Sequence, residues 1–364
     1  MAKLAKLPVH VLSTHAPAIV AKLADSDGDV RRAAEVTLAK LDAEAVLQQH
    51  ASVIVAKLED SDSDVRQAAL ETLSKLPAEM LAMHAPSIIS KRKDWSQGVR
   101  KAAVETLGKL DAAALSEHAP AVVATVNDSD AGVRMAAMET LGKLDAAALL
   151  QHASAIVAKL EDSDGQVRQA ALETLGKLPV EALATHTQRI AAKLEDSHWY
   201  VRKAALETLD KLPAELLSMY APAVVAKLAD SNGDVRKTAQ VTLAKLDAEA
   251  VLEQHASVIV GKLEDSDRFV RIAALETLRK LPAEVLAMHA PSIISKRKDW
   301  SQGVRKAAVE TLGKLDVAAL LQHAPAIVAK LEHSDAGVRM AAMETLCKLD
   351  AAAFLQHAPA IVAK

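Results

Sequence analysis

Histidines recur along the chain at a regular spacing and are the first candidates for metal chemistry. Consecutive members lie 34 or 35 residues apart, and Tyr220 fills the one gap in the series. The set comprises His15, His50, His84, His118, His152, His186, His255, His289, His323 and His357. Equivalent side chains of stacked helices lie about 8–10 Å apart, whereas imidazoles that share a metal ion each lie about 2 Å from it. The spacing therefore favours histidines at helix junctions, and we predict neither a metal site nor a cofactor.

A basic and aromatic motif interrupts the chain twice. KRKDWS occupies residues 91–96 and 296–301, where a typical neighbouring segment reads KLEDSD. Trp and Arg are frequent anchors of protein interfaces, so an exposed Trp beside cations favours a contact surface. The structural alternative is that each ring covers the end of a neighbouring helix. The candidate partner-binding residues of the two motifs and the corresponding loops are Lys91, Arg92, Lys93, Trp95, Trp199, Tyr200, Arg268, Phe269, Lys296, Arg297, Lys298 and Trp300.

Catalytic motifs are missing from the sequence. There is no phosphate-binding glycine loop, no GxSxG nucleophile motif and no carboxylate pair outside positions that recur in every repeat. A net charge of −3 provides no overall positive field for nucleic-acid binding. No segment reaches the roughly 18 apolar residues of a membrane span. We predict a protein that is not an enzyme and does not enter a membrane. The single cysteine, Cys347, excludes an internal disulfide framework and is compatible with an intracellular, cytoplasmic location.

Three short helices per repeat must position these residues. The dipeptide Val-Arg returns every 34 or 35 residues, and its arginines are Arg31, Arg66, Arg100, Arg134, Arg168, Arg202, Arg236, Arg271, Arg305 and Arg339. In VRQAALETLGKL the apolar stripe follows helical spacing through Val167, Ala170, Ala171, Thr174, Leu175 and Leu178. An Asp, Asn or Ser with capping ability precedes most of these helices, and HAP prolines indicate where another helix begins. A single repeat cannot bury such a stripe, so we predict that neighbours stack.

An Asp six residues before the Arg of a Val-Arg-x-Ala-Ala helix resembles the HEAT repeat signature, and it covers nearly the whole chain. The resemblance implies an all-α fold, a right-handed α-solenoid of about ten HEAT-like repeats. It also implies a structural ladder of hydrogen bonds between successive repeats, in which His333 of the tenth repeat marks a weakened junction. Pairs of the ladder include Asp60 with Arg66, Asp94 with Arg100, Asp162 with Arg168, Asp196 with Arg202, and Asp265 with Arg271.

A longer repeat lies over the short one. Residues 81–111 recur unchanged at 286–316, an offset of 205, within a block 20–111 that is duplicated as 225–316. We predict one solenoid domain over residues 1–364, in which any special surface of the first block exists twice. Neither end shows a polar capping repeat, so we expect either a piece of a longer array or end-to-end self-association through uncapped termini.

Four functions remain open from the sequence. The first is a non-catalytic scaffold or adaptor that presents an extended repeat surface to a protein or peptide partner, as HEAT-repeat families do. The second is similar to HEAT-like phycobilin lyases, which attach a bilin to a partner protein and need a pocket lined by unlike residues. Nucleic-acid binding through KRKDW, as in HEAT-like DNA glycosylases, is disfavoured by the mixed charge. The fourth is an engineered, consensus-like array without a native partner.

Overall fold

The computed structural model describes residues 15–22, 25, 27–38, 43–245, 250–315, 325, 327–329, 331 and 336–346. These residues form helices and turns, with no β-strand among them, and the predicted all-α class is confirmed. The chain divides into two compact units, Met1–Ala182 and Leu183–Lys364. His333, Cys347 and the predicted uncapped termini lie outside the described residues.

The first unit contains a succession of short helices. They are α1 Ala16–Ala21, α2 Gly28–Leu38, α3 Ala43–Ala56, α4 Ser63–Leu73, α5 Ala78–Met83, α6 Ala85–Ser90, α7 Gln97–Leu107, α8 Ala112–Val123, α9 Ala131–Leu141, α10 Ala146–Gln151, α11 Ala153–Ala158, α12 Gly165–Leu175 and α13 Val180–Ala184, the last running to the following unit. Single 3-10 turns occupy Lys57–Glu59, Lys91–Lys93 and Lys159–Glu161. Each 3-10 turn lies four residues or fewer before an eleven-residue helix that carries the Val-Arg pair.

The second unit repeats this order. Its helices are α14 Thr187–Ala192, α15 Trp199–Leu209, α16 Ala214–Ser218, α17 Ala221–Ala226, α18 Gly233–Leu243, α19 Ala250–Gly261, α20 Arg268–Leu278, α21 Ala283–Ser295, α22 Gln302–Leu312 and α23 Ala336–Leu346. Its 3-10 turns are Lys193–Glu195, Lys227–Ala229, Lys262–Glu264 and Lys296–Lys298. Within each unit, consecutive Val-Arg helices (α2, α4, α7, α9, α12 and α15, α18, α20, α22, α23) pack beside one another.

One repeat, residues 146–178, shows why the chain folds this way. Asp145 accepts a hydrogen bond from Ala148 N at 2.8 Å and starts α10, and Asp164 likewise accepts from Gln166 N to start α12. His152 forms the break between α10 and α11 without capping either helix through its side chain. The stripe predicted from Val167 to Leu178 is buried throughout, so the predicted core face is confirmed.

The expectation that each HAP proline begins a helix is wrong in part of the chain. HAP prolines begin α1 and α6, as expected, and the proline of Tyr220-Ala-Pro begins α17, but Pro120 and Pro291 lie inside the continuous helices α8 and α21. A proline within a helix removes one backbone donor. The first two helices of a repeat therefore exist either as a broken pair or as one helix.

Candidate partner-binding surface

An arginine ladder links successive repeats within each unit. Arg66 donates through Nε and Nη2 to both carboxylate oxygens of Asp94, at 2.8 and 2.7 Å. Its Nη1 donates to the backbone carbonyl of Asp60 in its own repeat at 2.8 Å. Both charged side chains are more than nine-tenths buried. The same two-oxygen contact joins Arg100 to Asp128, Arg134 to Asp162, Arg202 to Asp230, and Arg271 to Asp299.

The ladder changes register where a repeat has 35 residues. Arg31 contacts Asp64 at 2.8 Å, and Arg236 approaches Asp267 to 4.0 Å. Of the other predicted ladder residues, Arg168 donates to the carbonyl of Asp162 at 2.8 Å, and Asp196 accepts from the N–H of His198 at 2.9 Å. One inserted residue lengthens the separation between the arginine and the ladder aspartate of the next repeat from 28 to 29 residues, and Arg31 and Arg236 contact aspartates further along the chain.

The ladder carboxylates are held ionised. For Asp94, burial opposes ionisation, but hydrogen bonds from Arg66 and from Ser96 N–H, with the nearby positive charges, outweigh it and lower the pKa. The pKa values of Asp128, Asp162, Asp230 and Asp299 are lowered by the same combination of a ladder arginine and a backbone N–H acting against burial. The negative charges of these aspartates are therefore paired with ladder arginines and stabilise the packing of successive repeats.

Trp95 and Trp300 lie on this ladder and remain open to solvent. The guanidinium of Arg66 lies 5.5 Å from the centre of the Trp95 ring, and that of Arg271 lies 5.3 Å from Trp300. The two tryptophans are nevertheless 76% and 71% exposed. One face of each indole therefore contacts a buried cation, while most of the ring is available to a partner.

The cations of the KRKDW segments, defined as residues 91–95 and 296–300, divide into two kinds. Lys91 is nearly buried and pairs with Glu59 of the previous repeat at 2.8 Å, and Lys296 pairs with Glu264 at 2.7 Å. Lys93 and Lys298 are exposed and have no carboxylate within 4.0 Å in the described part of the chain. The middle residues of the 3-10 turns, Arg92 and Arg297, differ from both, because they are half-buried.

Arg92 and Arg297 stand where other repeats bury an aliphatic side chain. The equivalent residues Leu58, Val126, Leu160, Leu194, Leu228 and Leu263 are at most 2% exposed. Arg92 Nε and Arg297 Nη1 are buried without a hydrogen-bond partner among the described residues. Burial also lowers the pKa of the Arg297 guanidinium. The alignment of KRKDWS with KLEDSD sets these two arginines against a recurring leucine, and this could have signalled a core position.

The other candidate residues lie in the first turn of a helix and not in the loop before it. Trp199 and Tyr200 begin α15 and contact each other edge-on at 5.9 Å, with Trp199 41% exposed. Arg268 begins α20, and its guanidinium lies 4.7 Å from the ring of Phe269. We expected all candidate residues in the loop before the Val-Arg helix. The KRKDW segments do lie there, but the other aromatic residues lie in the first turn of the helix itself.

Two sets of polar contacts between neighbouring helices were not predicted. Thr106 Oγ1 lies within hydrogen-bonding distance of Ala102 O in its own helix and Leu70 O in the previous Val-Arg helix, at 2.7 and 3.2 Å. Lys143 Nζ donates to Gly108 O at the end of the previous helix at 2.8 Å. Regular Thr and Lys positions in the repeat could have signalled both contacts.

A shallow groove lies on the Val-Arg helices of the second unit. It has a volume of about 370 Å³ and is lined by Glu207, Asp210, Lys237, Thr238, Val241 and Thr242. Val241 occupies a position that eight of the ten repeats give to glutamate, with Val36 as the other exception, so the lining is more apolar here. In the described residues no helix is long and apolar enough to cross a membrane, and no group of three metal-ligating side chains converges.

Comparisons with known proteins agree with the fold. Residues 43–178 match the family described as sister chromatid cohesion protein PDS5, and residues 153–244 match the family of HEAT repeats. A search of curated proteins gives no match. The two family matches and the all-helical repeat fold confirm the resemblance to HEAT-repeat α-solenoids that was drawn from the sequence.

Solved structures of low identity share this fold. A crystal structure of importin β has a TM-score of 0.67 at 15% identity, covering 93% of this chain and 51% of that one. Kap95p, in a structure with RanGDP, has a TM-score of 0.64 at 14% identity, and the match covers 99% of this chain and 54% of Kap95p. An engineered protein has a TM-score of 0.53 at 17% identity, and the match covers 92% of this chain and 98% of that protein. The chain spans about half the length of the importin structures, and identities this low show the fold alone.

Proposed function

We propose that the chain is a non-catalytic protein-binding scaffold that contacts its partner through the exposed aromatic and basic residues at the starts of its Val-Arg helices. The observation that carries the proposal is the exposure of Trp95 and Trp300 beside cations that the fold leaves unpaired. Burying an exposed indole against a partner stabilises a complex, and Trp and Arg dominate the energetics of many interfaces.

The fold supports this role at a coarser level. The HEAT-repeat solenoid is a fold typical of protein-binding scaffolds. Kap95p, which has a similar fold, binds RanGDP. The Val-Arg helices carry rows of alternating charge, such as Lys101 with Glu105 and Lys203 with Glu207. Mixed charge suits a protein surface better than a polyphosphate.

Affinity capture from a cell lysate tests the proposal. The intact chain is compared with the variant Trp95→Ala/Trp199→Ala/Trp300→Ala. Each captured protein is then purified, and its direct binding to both chains is measured. Nucleic acid in the eluate is measured in parallel. The matched control is Met83→Ala/Met219→Ala/Met288→Ala, which removes three side chains that are 70–74% exposed and lie outside the candidate surface.

We expect a defined protein to bind the intact chain and the methionine variant, with at least a tenfold loss for the tryptophan variant. Equal capture by all three chains would show that the aromatic residues are not the contact surface. If no protein rebinds, the scaffold proposal is wrong, and predominant recovery of nucleic acid would favour that class of partner instead.

A further inference from the structure

The KRKDW segments reverse the local charge of the repeat. Residues 159–164, KLEDSD, contain one cation and three carboxylates, a net charge of −2. Residues 91–96, KRKDWS, contain three cations and one carboxylate, a net charge of +2. The same reversal occurs at residues 296–301. Asp94 and Asp299 are already occupied by ladder arginines, so they do not offset the cations outside the stack.

The cations that remain available lie beside the exposed indole. Lys91 is neutralised by Glu59, which leaves Lys93 in solvent and Arg92 with a buried Nε that has no partner among the described residues. The repeat after the first segment has Thr125, Val126 and Asn127 at the equivalent turn, none of which carries a charge; after the second segment the equivalent residues are Lys330, Leu331 and Glu332. In each segment, two cations beyond the one paired with glutamate therefore occur with one large apolar surface within five residues.

We propose that each KRKDW segment binds a short acidic stretch of a partner protein, with carboxylates at Arg92 and Lys93 and an apolar side chain on Trp95. The second segment uses Arg297, Lys298 and Trp300 in the same way. This inference rests on the proposed scaffold function and specifies the chemistry of the partner. Guanidinium groups bind carboxylates through charge-assisted hydrogen bonds, and the half-buried Arg92 and exposed Lys93 supply two neighbouring cations for them.

The surface fits a peptide better than a nucleic acid. Strong phosphate-backbone binding commonly uses about 6–10 contacts, and each segment offers two available cations. Glu59 and Glu264, about three-quarters exposed beside the segments, would repel a continuous polyanion. A peptide with a few carboxylates around one apolar residue avoids both difficulties.

The identity of residues 81–111 and 286–316 predicts the stoichiometry. One copy of the segment lies in each compact unit, because residue 95 belongs to the first unit and residue 300 to the second. We therefore expect two equivalent sites per chain. A partner with two acidic stretches would gain avidity over a single stretch if both sites are engaged together.

Calorimetric titration of the intact chain tests this inference. The probe is a peptide of Asp and Glu residues around one central Phe, compared with a Lys/Arg peptide of the same length, with a Phe→Ser version and with a single-stranded oligonucleotide. The variants are Lys93→Glu/Lys298→Glu, which restores the charge that other repeats carry, and Lys93→Glu alone. The control Lys109→Glu/Lys211→Glu makes the same charge change at exposed positions at the other end of the helices.

We expect two acidic peptides per chain, one after Lys93→Glu, and at least tenfold weaker binding after Lys93→Glu/Lys298→Glu, with the control unchanged. The Phe→Ser peptide should also bind more weakly. The inference is wrong if the acidic peptide does not bind, if the control weakens binding equally, or if the oligonucleotide binds more tightly with a steep salt dependence. A protein captured through the tryptophans without peptide binding would leave the scaffold proposal standing and remove only the acidic partner.

Discussion

Arg92 and Arg297 occupy a position that the repeat otherwise reserves for a fully buried aliphatic side chain. A buried donor without a partner costs about 1–3 kcal/mol. The same two residues are the ones that we assign to partner carboxylates. A residue that weakens the free protein is expected at a binding site.

Arg92→Leu/Arg297→Leu should therefore stabilise the free chain. Each change removes an unpaired buried donor and restores the leucine of neighbouring repeats, so we expect the free energy of unfolding to rise by about 1–3 kcal/mol per site. Urea unfolding followed by circular dichroism measures this change. The reverse change, Leu160→Arg, should be destabilising; if both changes act in the same direction, the explanation from burial is wrong.

The ladder gives the stability a defined pH dependence. The folded-state pKa values of Asp94, Asp128, Asp162, Asp230 and Asp299 are lowered, so the unfolded chain binds more protons in acid. This contribution is fully present above the unfolded pKa of about 4 and is lost as the pH falls through the folded values. We expect similar stability at pH 7 and 6 and a decline below about pH 5 in urea titrations.

Asp128→Asn should reduce that pH dependence because one ladder carboxylate no longer titrates. The change weakens two charge-assisted hydrogen bonds from Arg100, so a loss of about 2 kcal/mol at pH 7 is expected. Unfolding measured for both chains from pH 7 to pH 3 should show their stabilities converging in acid. Parallel curves would mean that Asp128 contributes little to the acid response.

At the scale of a helix, capping distinguishes the KRKDW segments from their neighbours. Asp130 accepts a hydrogen bond from Val133 N at 3.0 Å and caps α9, whereas the Ser96 side chain makes no such contact with α7. A carboxylate at this position would cap the helix, but it would also add negative charge beside Lys93. The absence of a capping carboxylate therefore preserves the positive local charge.

Ser96→Asp should strengthen the helix and weaken the site. We expect a gain of about 1 kcal/mol in the free energy of unfolding, with weaker binding of an acidic peptide at the first segment only. Thermal unfolding and calorimetric titration of the same variant measure both effects. Asp130→Ser serves as the reciprocal control and should lose stability without changing peptide affinity. Stronger peptide binding by Ser96→Asp would contradict the charge argument.

At the scale of the whole molecule, stability is distributed over neighbouring repeats. In repeat arrays each repeat contacts only its neighbours, so an interface defect acts mainly on the repeats that share it. Asp128→Asn should raise amide exchange in α7 and α9 far more than in α20 and α22 of the second unit. Hydrogen exchange with mass spectrometry measures this distribution. A uniform rise in both units would show that the chain unfolds as one cooperative body.

Much of the architecture could be predicted because the repeat carries its own local rules. The stripe from Val167 to Leu178 specified a buried helix face, and the resemblance to the HEAT signature implied the residues of the ladder. Pro120 was misinterpreted as a helix start, because a proline removes only one donor and neighbouring contacts can hold a helix through it. The threonine contacts were missed, since an acceptor 36 residues away cannot be inferred from helical periodicity.

The sequence by itself determined the repeat period, the helical class, the buried stripes and the positions of the unusual KRKDW segments, because these depend on residue spacing along the chain. Only the tertiary structure decided which carboxylate each ladder arginine reaches, since one inserted residue changes the register between Arg31 and its neighbour. It also decided that Lys91 is neutralised while Arg92 is left without a hydrogen-bond partner at Nε. The physical reason is that pairing and burial depend on distances between stacked repeats, which no single repeat contains.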